Sequence, residues 1–351
     1  LYKPCYGSFI IELNGEPSDD ENVIGKTIDN YKICTFDYTV NMDNLQRIWE
    51  GKLEPVFPCR IRTTDATPAV YSYNCETKIT SSEKFAKPRV LIPVFPGTNC
   101  EYDTARAFEK AGAIAETVVI RNLSAGDIEQ SVDYFEKAVR ESQIIMIPGG
   151  FSGGDEPEGS GKFITAFFRN PKIKDAVHDL LKNRDGLMLG ICNGFQALVK
   201  LGLVPFGEIV DMDNNSPTLT FNTINRHQSM MVNTRIASNK SPWLYGTEVG
   251  DIHCVPISHG EGRFVAPASL IQQLAKNGQI ATQYVDLDGT PTMDIRYNPN
   301  TSIDAIEGIT SPDGRVFGKM GHSERKGSYI CKNVEGCKDQ KIFESGVAYF
   351  K

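Results

Sequence analysis

Residues 187–202, LMLGICNGFQALVKLG, decide how this chain is read. An apolar run stops at Cys192, Gly194 follows two positions later, and a helix-like stretch then begins. Gly190 and Gly194 around Cys192 give the form G-x-nucleophile-x-G of a nucleophile elbow, a sharp turn between strand and helix that exposes the middle residue above a sheet. The positive end of the following helix favours a thiolate there. An isolated cysteine is more often a small buried apolar residue. The elbow context favours instead an exposed nucleophile with a lowered pKa.

The flanking sequence supports the strand-turn-helix reading. From residue 89, short apolar runs alternate with helical patterns: RVLIPVF, then DTARAFEKAGA with Ala105, Phe108 and Ala111 on one face and Gly112 near its end. ETVVIRN, SAGDIEQSVDYFEKAVRES, QIIMIPGG, GSGKFITAFFRN, PKIKDAVHDLLKNR and GLMLGI follow as strand, helix, strand, two helices and strand. Alternation of this kind, with strands apolar throughout, means an α/β fold whose parallel sheet is covered by helices on both faces. Sites in such sheets form beyond the carboxyl ends of the strands. Two ends stand out, PGGFSGGD at 148–155 and CNGFQ at 192–196.

The first 88 residues differ. GSFIIEL (7–13) reads as a strand, YKICTFDYTV (31–40) as another, and MDNLQRIWEGKLEP as a helix with Leu45 and Ile48 at helical spacing. Residues 56–88 are polar and proline-containing, the pattern of a crossing linker. Residues 1–55 are too few for a complete catalytic domain. They are expected to be the end of something larger upstream, with 89–351 as the main domain.

The 351 residues carry a net charge of −7, which argues against a broad basic surface for nucleic acid. No apolar run approaches the ~20 residues of a membrane helix. Nine cysteines are irregularly spaced without C-x-x-C, so reduced thiols in a cytoplasmic protein fit better than a zinc ribbon or a disulfide framework. A metal clip at CKNVEGC (331–337) has no second ligand pair.

A thiolate attacking a carbonyl needs an oxyanion hole. The backbone N–H of Asn193 is one natural donor, and Gly150 or Phe151 in the glycine-rich turn is a candidate second. The nucleophile also needs a base held by a third group. Of the five histidines, His178 lies within a helix as a surface residue, His227 in a polar stretch and His253 in a strand. His259 and His322 each follow an apolar strand and precede a glutamate by two positions, Glu261 and Glu324. In extended chain such residues face the same side, so a carboxylate can fix the imidazole tautomer. Spacing alone leaves both pairs open.

PGGFSGGD, GICNGFQ and a C-terminal H-x-E, in that order, resemble class I (triad-type) glutamine amidotransferases. ISHGEGRF (257–264) and the opening RVLIPVFPGTNCEYDTARAFEKAGA narrow the resemblance to the glutaminase domains of phosphoribosylformylglycinamidine synthases, over about 89–351. The resemblance implies a flavodoxin-like, mostly parallel sheet, preceded by a small α+β segment at the end of a synthetase region. It implies Cys192 as nucleophile, His322 as base and Glu324 as its orienting partner, with Gln196 and His259 on the substrate side. Glutamine would be hydrolysed through a thioester. The ammonia would pass to a synthetase domain of the same polypeptide, where ATP and magnesium drive conversion of formylglycinamide ribonucleotide to the amidine. No Walker-type phosphate loop occurs, so ATP and magnesium are expected outside this chain, and no metal within it. Two departures stand out: Gly321 and Ser323 where proline commonly flanks the histidine, and Gly153 where tyrosine is frequent. A cysteine hydrolase of the related peptidase and chaperone group, another class I amidotransferase, and a silent docking module are the competing readings.

Overall fold

The computed structural model describes residues 6–19, 22–58, 61, 66–151 and 161–351. They divide into two compact units, Leu1–Arg60 and Ile61–Lys351.

The first unit holds a hairpin of β1 (Lys32–Cys34) and β2 (Thr39–Asn41), and α1 (Met42–Gly51), capped by the Asn41 side chain on Asn44 N–H. This unit departs from the sequence expectations at two places. Residues 31–40 are not one strand, because Thr35 Oγ1 accepts from the N–H groups of Asp37 and Tyr38 and turns the chain between β1 and β2. Residues 7–13 form no strand. With Phe9 and Ile10 largely exposed, alternating apolar residues find no partner strand or core among the described residues.

The second unit is built on one nine-stranded sheet. Its first part runs β3 (Arg89–Val94), α2 (Glu101–Ala111), β4 (Ile114–Val119), α3 (Ala125–Glu141), β5 (Ile144–Ile147), α4 (Lys162–Phe168), α5 (Pro171–Asn183), β6 (Leu187–Ile191), α6 (Asn193–Leu201) and α7 (Leu203–Phe206). Then come β7 (Thr218–Thr220), β8 (Gln228–Ile236), β9 (Ile252–His259), β10 (Arg263–Val265), α8 (Ala268–Lys276), β11 (Ile280–Val285), β12 (Ile306–Thr310), β13 (Val316–Lys319) and α9 (Ile342–Ala348). The strand order is β4-β3-β5-β6-β13-β12-β11-β8-β9, with β7 and β10 paired separately. The first five strands are parallel and the remaining four antiparallel. The chain from 204 to 300 therefore extends the α/β sheet with an antiparallel half.

Local chemistry starts and stops these helices where the sequence implied. Ser124 caps α3 by accepting from Asp127 N–H, Pro171 opens α5, and Gly112 ends α2 in the left-handed region at φ 93°. In the core, Phe108 meets Trp243 and Phe343 edge-on, and Phe135 meets Phe167 and Phe168 likewise. No helix among the described residues is long and apolar enough to cross a membrane.

Helix α6 is central, buried at every position except Lys200. Glycines let it dock. A methyl carbon on Gly194 would lie 2.0 Å from the Ile147 carbonyl oxygen of β5, and one on Gly318 of β13 would lie 2.1 Å from the Phe195 ring. One on Gly190 would meet the Gly194 backbone at 2.7 Å. Gly194→Ala should therefore cost about 3 kcal/mol or more, because the obstacle is backbone. Gly126→Ala, whose new methyl meets nothing nearer than Ser124 Oγ at 3.9 Å, should stay within about 1 kcal/mol of wild type. Urea denaturation of the two variants checks the contrast, and equal stabilities would refute it.

Candidate active site

Strand β6 delivers Cys192 to the mouth of α6 at φ 54°, ψ −107°. A non-glycine residue holds that conformation only where its surroundings force it. Here Cys192 N–H donates to Lys319 O and Cys192 O accepts from Gln196 N–H. The strained elbow read from the sequence is present. Its exposure is not: Cys192 is only 5% exposed. The expected fall in thiol pKa is overturned with it. Burial, reinforced by Cys100 and Glu324, pushes the thiol up to about 12, against the opposing pull of the Asn193 N–H and Arg325. The thiol points at Ser258 O of β9, 3.6 Å away.

Of the two H-x-E pairs, the structure brings the second to Cys192. His322 and Glu324 follow β13, the strand beside β6. His322 Nδ1 lies 2.6 Å from Glu324 Oε1, both groups buried, while Nε2 has no hydrogen-bond partner among the described residues. Burial alone would raise the Glu324 carboxyl. The imidazole, its hydrogen bond and Arg325 outweigh burial and hold it below the usual range. Gly149 at the end of β5 leaves a gap between the two sides of the site. A methyl carbon there would lie 2.7 Å from His322 Cε1 and 3.4 Å from Cys192 Cβ.

That gap also touches Cys100, at 3.2 Å, a residue the sequence reading passed over. Its thiol lies 3.8 Å from His322 Nδ1 and accepts from Arg325 Nη2 at 3.2 Å. Burial, with Glu324 beside it, pushes this thiol up to about 11. Only its position in PGTNCEYD, after the first strand of a parallel sheet, could have marked it. Cys100, His322 and Glu324 offer ligand atoms within 4.8 Å of one another. However, the 2.6 Å His322–Glu324 contact is shorter than the ~3.3 Å between two ligands of a tetrahedral zinc ion. The arrangement is that of a hydrogen-bonded pair.

The substrate-side candidates fare unevenly. Asn193 opens α6, its N–H directed at the Cys192 sulfur. Gly150 bridges to Thr98 at φ 154°, where a methyl would strike Gly97 O at 2.5 Å. Phe151 N–H is committed to Gly97 O at 2.8 Å, which removes it as a ready oxyanion donor. Its ring faces His227, whose Nε2 meets Ser258 Oγ at 3.0 Å. Gly153 lies outside the described residues. Gln196 does not face open space: its Oε1 accepts from Asn193 Nδ2 and its Nε2 donates to Glu261 O. It ties α6 to the SHGEGRF loop.

His259, at the end of β9, is buried, neither ring nitrogen finds a hydrogen-bond partner among the described residues, and Gly262 lies flat against its ring. Burial, with His322 and His227 nearby, pushes it down to about 3. His178 is half-buried rather than a surface residue, accepting from Ile209 N–H at 2.9 Å. Cys331 rests on Met231.

The CobB/CobQ-like glutamine amidotransferase domain family matches residues 87–350. The phosphoribosylformylglycinamidine synthase subunit PurQ of Methanococcus maripaludis is 38% identical over 239 residues, 68% of this chain and 82% of that protein. The subunit of the same name from Aquifex aeolicus is 32% identical over 248 residues, 71% of this chain and 95% of that protein. Among solved structures, one described as PurLQS from Thermotoga maritima aligns with a TM-score of 0.54 at 25% identity, covering 76% of this chain and all of that one.

His259 should leave a pH signature. Its folded pKa lies below the ~6.5 of an unfolded histidine, so the unfolded state binds more protons between the two values. Its contribution is complete above pH ~6.5 and is lost as pH falls toward about 3, at up to ~1.4 kcal/mol per unit. Between pH 7.5 and 5, wild type should lose about 2 kcal/mol more than His259→Gln in guanidinium titrations. Parallel losses would show that His259 titrates normally.

Proposed function

The chain belongs to the CobB/CobQ-like glutamine amidotransferase domain family, and we propose that it hydrolyses glutamine for a phosphoribosylformylglycinamidine synthase of purine biosynthesis. The observation that carries this reading is the meeting, across the Gly149 gap, of a cysteine held at a strained elbow with a buried His-Glu hydrogen-bonded pair. The named relatives supply the acceptor reaction.

In this reading His322 Nε2 takes the Cys192 proton as the sulfur attacks the side-chain amide carbon of glutamine. Glu324 holds Nδ1–H and so fixes the tautomer that leaves Nε2 as the acceptor. The tetrahedral oxyanion is received by the N–H of Asn193 and, from the glycine turn, that of Gly150. His322 then protonates the departing ammonia. Water, activated by the same imidazole, cleaves the thioester to glutamate. His259 is neutral, so its ring carries one donor and one acceptor, which suits the polar groups of glutamine. ATP and magnesium act on a synthetase partner that receives the ammonia in a cytoplasmic enzyme, whether on the same polypeptide or on a separate subunit.

A buried, protonated thiol describes a resting site. Turnover by the chain alone should therefore be low and should rise when the synthetase partner binds. A diazoketone analogue of glutamine should modify Cys192 and no other cysteine, as read by peptide mass spectrometry. Cys192→Ser should reduce glutamate release by at least about 1,000-fold, and Glu324→Gln by on the order of 100- to 10,000-fold. A modification that persists in Cys192→Ser would overturn the assignment. Glutamine turnover without peptide cleavage separates this reading from a cysteine peptidase.

A further inference from the structure

The loop GKMGHSER contains no proline, and His322 and Glu324 alternate in it with small residues, Gly321 and Ser323. Four residues without intrinsic stiffness must present two side chains in one geometry. Beneath them lies the salt bridge Lys319–Glu307, both side chains 0% exposed, with Nζ 3.1 Å from Oε1. Lys319 ends β13 and Glu307 lies on the neighbouring β12.

The three protons of Lys319 have three acceptors. Besides Glu307 Oε1 they reach Gly321 O at 2.8 Å and Ser323 Oγ at 3.1 Å. Glu307 Oε1 in turn accepts from Gly321 N–H at 2.6 Å, and Oε2 accepts from Thr282 Oγ1 at 2.5 Å. Ser323 Oγ donates onward to Gln340 Oε1 at 2.5 Å, and Gln340 Nε2 donates to Thr234 Oγ1 at 3.1 Å. The residues on both sides of His322 are thus gripped, Gly321 at both its N–H and its C=O. His322 N–H itself donates to Pro256 O at 2.8 Å.

Burying an ammonium and a carboxylate is costly, and an apolar pair of similar volume commonly serves a core as well or better. Core stability therefore does not explain why the pair is here, whereas its hydrogen bonds converge on one loop. We propose that Lys319 and Glu307 are positioning residues that hold the His322–Glu324 loop in its working geometry through Gly321 and Ser323. The proposal rests on the glutaminase reading for its kinetic consequence but not for its structural one. Neither residue touches the reacting atoms. The pair replaces by hydrogen bonds the backbone restraint that a stiffer sequence would supply.

The test compares the full chain with Lys319→Met and with Lys319→Met/Glu307→Leu. The single variant leaves a buried carboxylate unpaired and should be less stable. The double variant removes both charges and should recover part of the midpoint lost by the single variant, the shortfall coming from Gly321 N–H and Thr282 Oγ1, which lose their acceptors. Three readouts follow in the folded double variant: the downfield proton resonance of His322 Nδ1–H, the rate of Cys192 modification by the diazoketone, and kcat against KM for glutamine. The resonance should broaden or vanish, modification should slow, and kcat should fall by up to about 100-fold while KM stays within about twofold. A folded double variant that keeps the resonance and the wild-type kcat overturns the proposal. A double variant that unfolds like the single one also overturns it, since the pair would then be part of the core. If wild type neither turns over glutamine nor is modified at Cys192, the glutaminase reading fails while the resonance still decides the role of the pair.

Discussion

A backbone-on-backbone contact sets the geometry of everything else: Gly194 of α6 lies against the Ile147 carbonyl of β5, at a distance where any side chain would collide. Because the helix starts that close to the sheet, the chain between β6 and α6 has no room to turn gradually. Cys192 must absorb the change of direction in one residue, at φ 54°. The strain is local and is held by the many contacts of a buried helix whose Phe195 fills the slot over Gly318. The sulfur emerges at the carboxyl end of the strand, between the ends of β5 and β13, where the other working groups arrive.

The groups these strands assemble are buried, and burial acts on each of them differently. It raises the thiols of Cys192 and Cys100, lowers His259, and would raise Glu324 were the imidazole not beside it. The helix N-terminus and Arg325 favour a thiolate, as local reasoning holds, but removing the sulfur from water outweighs them. The proton on Cys192 therefore has to be taken by a base at the moment of attack. Under the proposed reading that base is His322 Nε2, which has no hydrogen-bond partner among the described residues while Nδ1 is anchored on Glu324.

Much of this was legible in the sequence because it depends on short-range pattern. The alternation of apolar runs and helical faces marked the parallel half of the sheet, and G-I-C-N-G marked the elbow, since the glycines are needed by the backbone itself. What was not legible depends on contacts distant along the chain. The burial of Cys192 comes from β9, more than sixty positions on, through Ser258 O. The commitment of Phe151 N–H and of Gln196 comes from Gly97 and Glu261, partners that no local rule names. The choice between two H-x-E pairs was open for the same reason, because only the sheet order puts β13 beside β6. In the first unit, apolar alternation at 7–13 misled, since a strand is stabilised by a neighbour and not by its own pattern.

The antiparallel half of the sheet matters to the chemistry through this same distance. β9 lies four strands from β13 in the sheet, yet it supplies Pro256 O to His322 N–H and Ser258 O to the Cys192 thiol. The sheet must therefore coil until its far edge closes over the site, as the right-handed twist of successive strands allows. Two of these contacts use main-chain oxygens of β9, and a third runs from Gln196 to the backbone of Glu261. Main-chain acceptors are present whatever the side chain. The wall thus constrains Cys192 and His322 by its path, and its outward side chains are left free to vary. The constraint on sequence falls on residues that set that path: Gly262, pressed against the His259 ring, and Asn222, which accepts from Gly262 N–H and donates to His259 O.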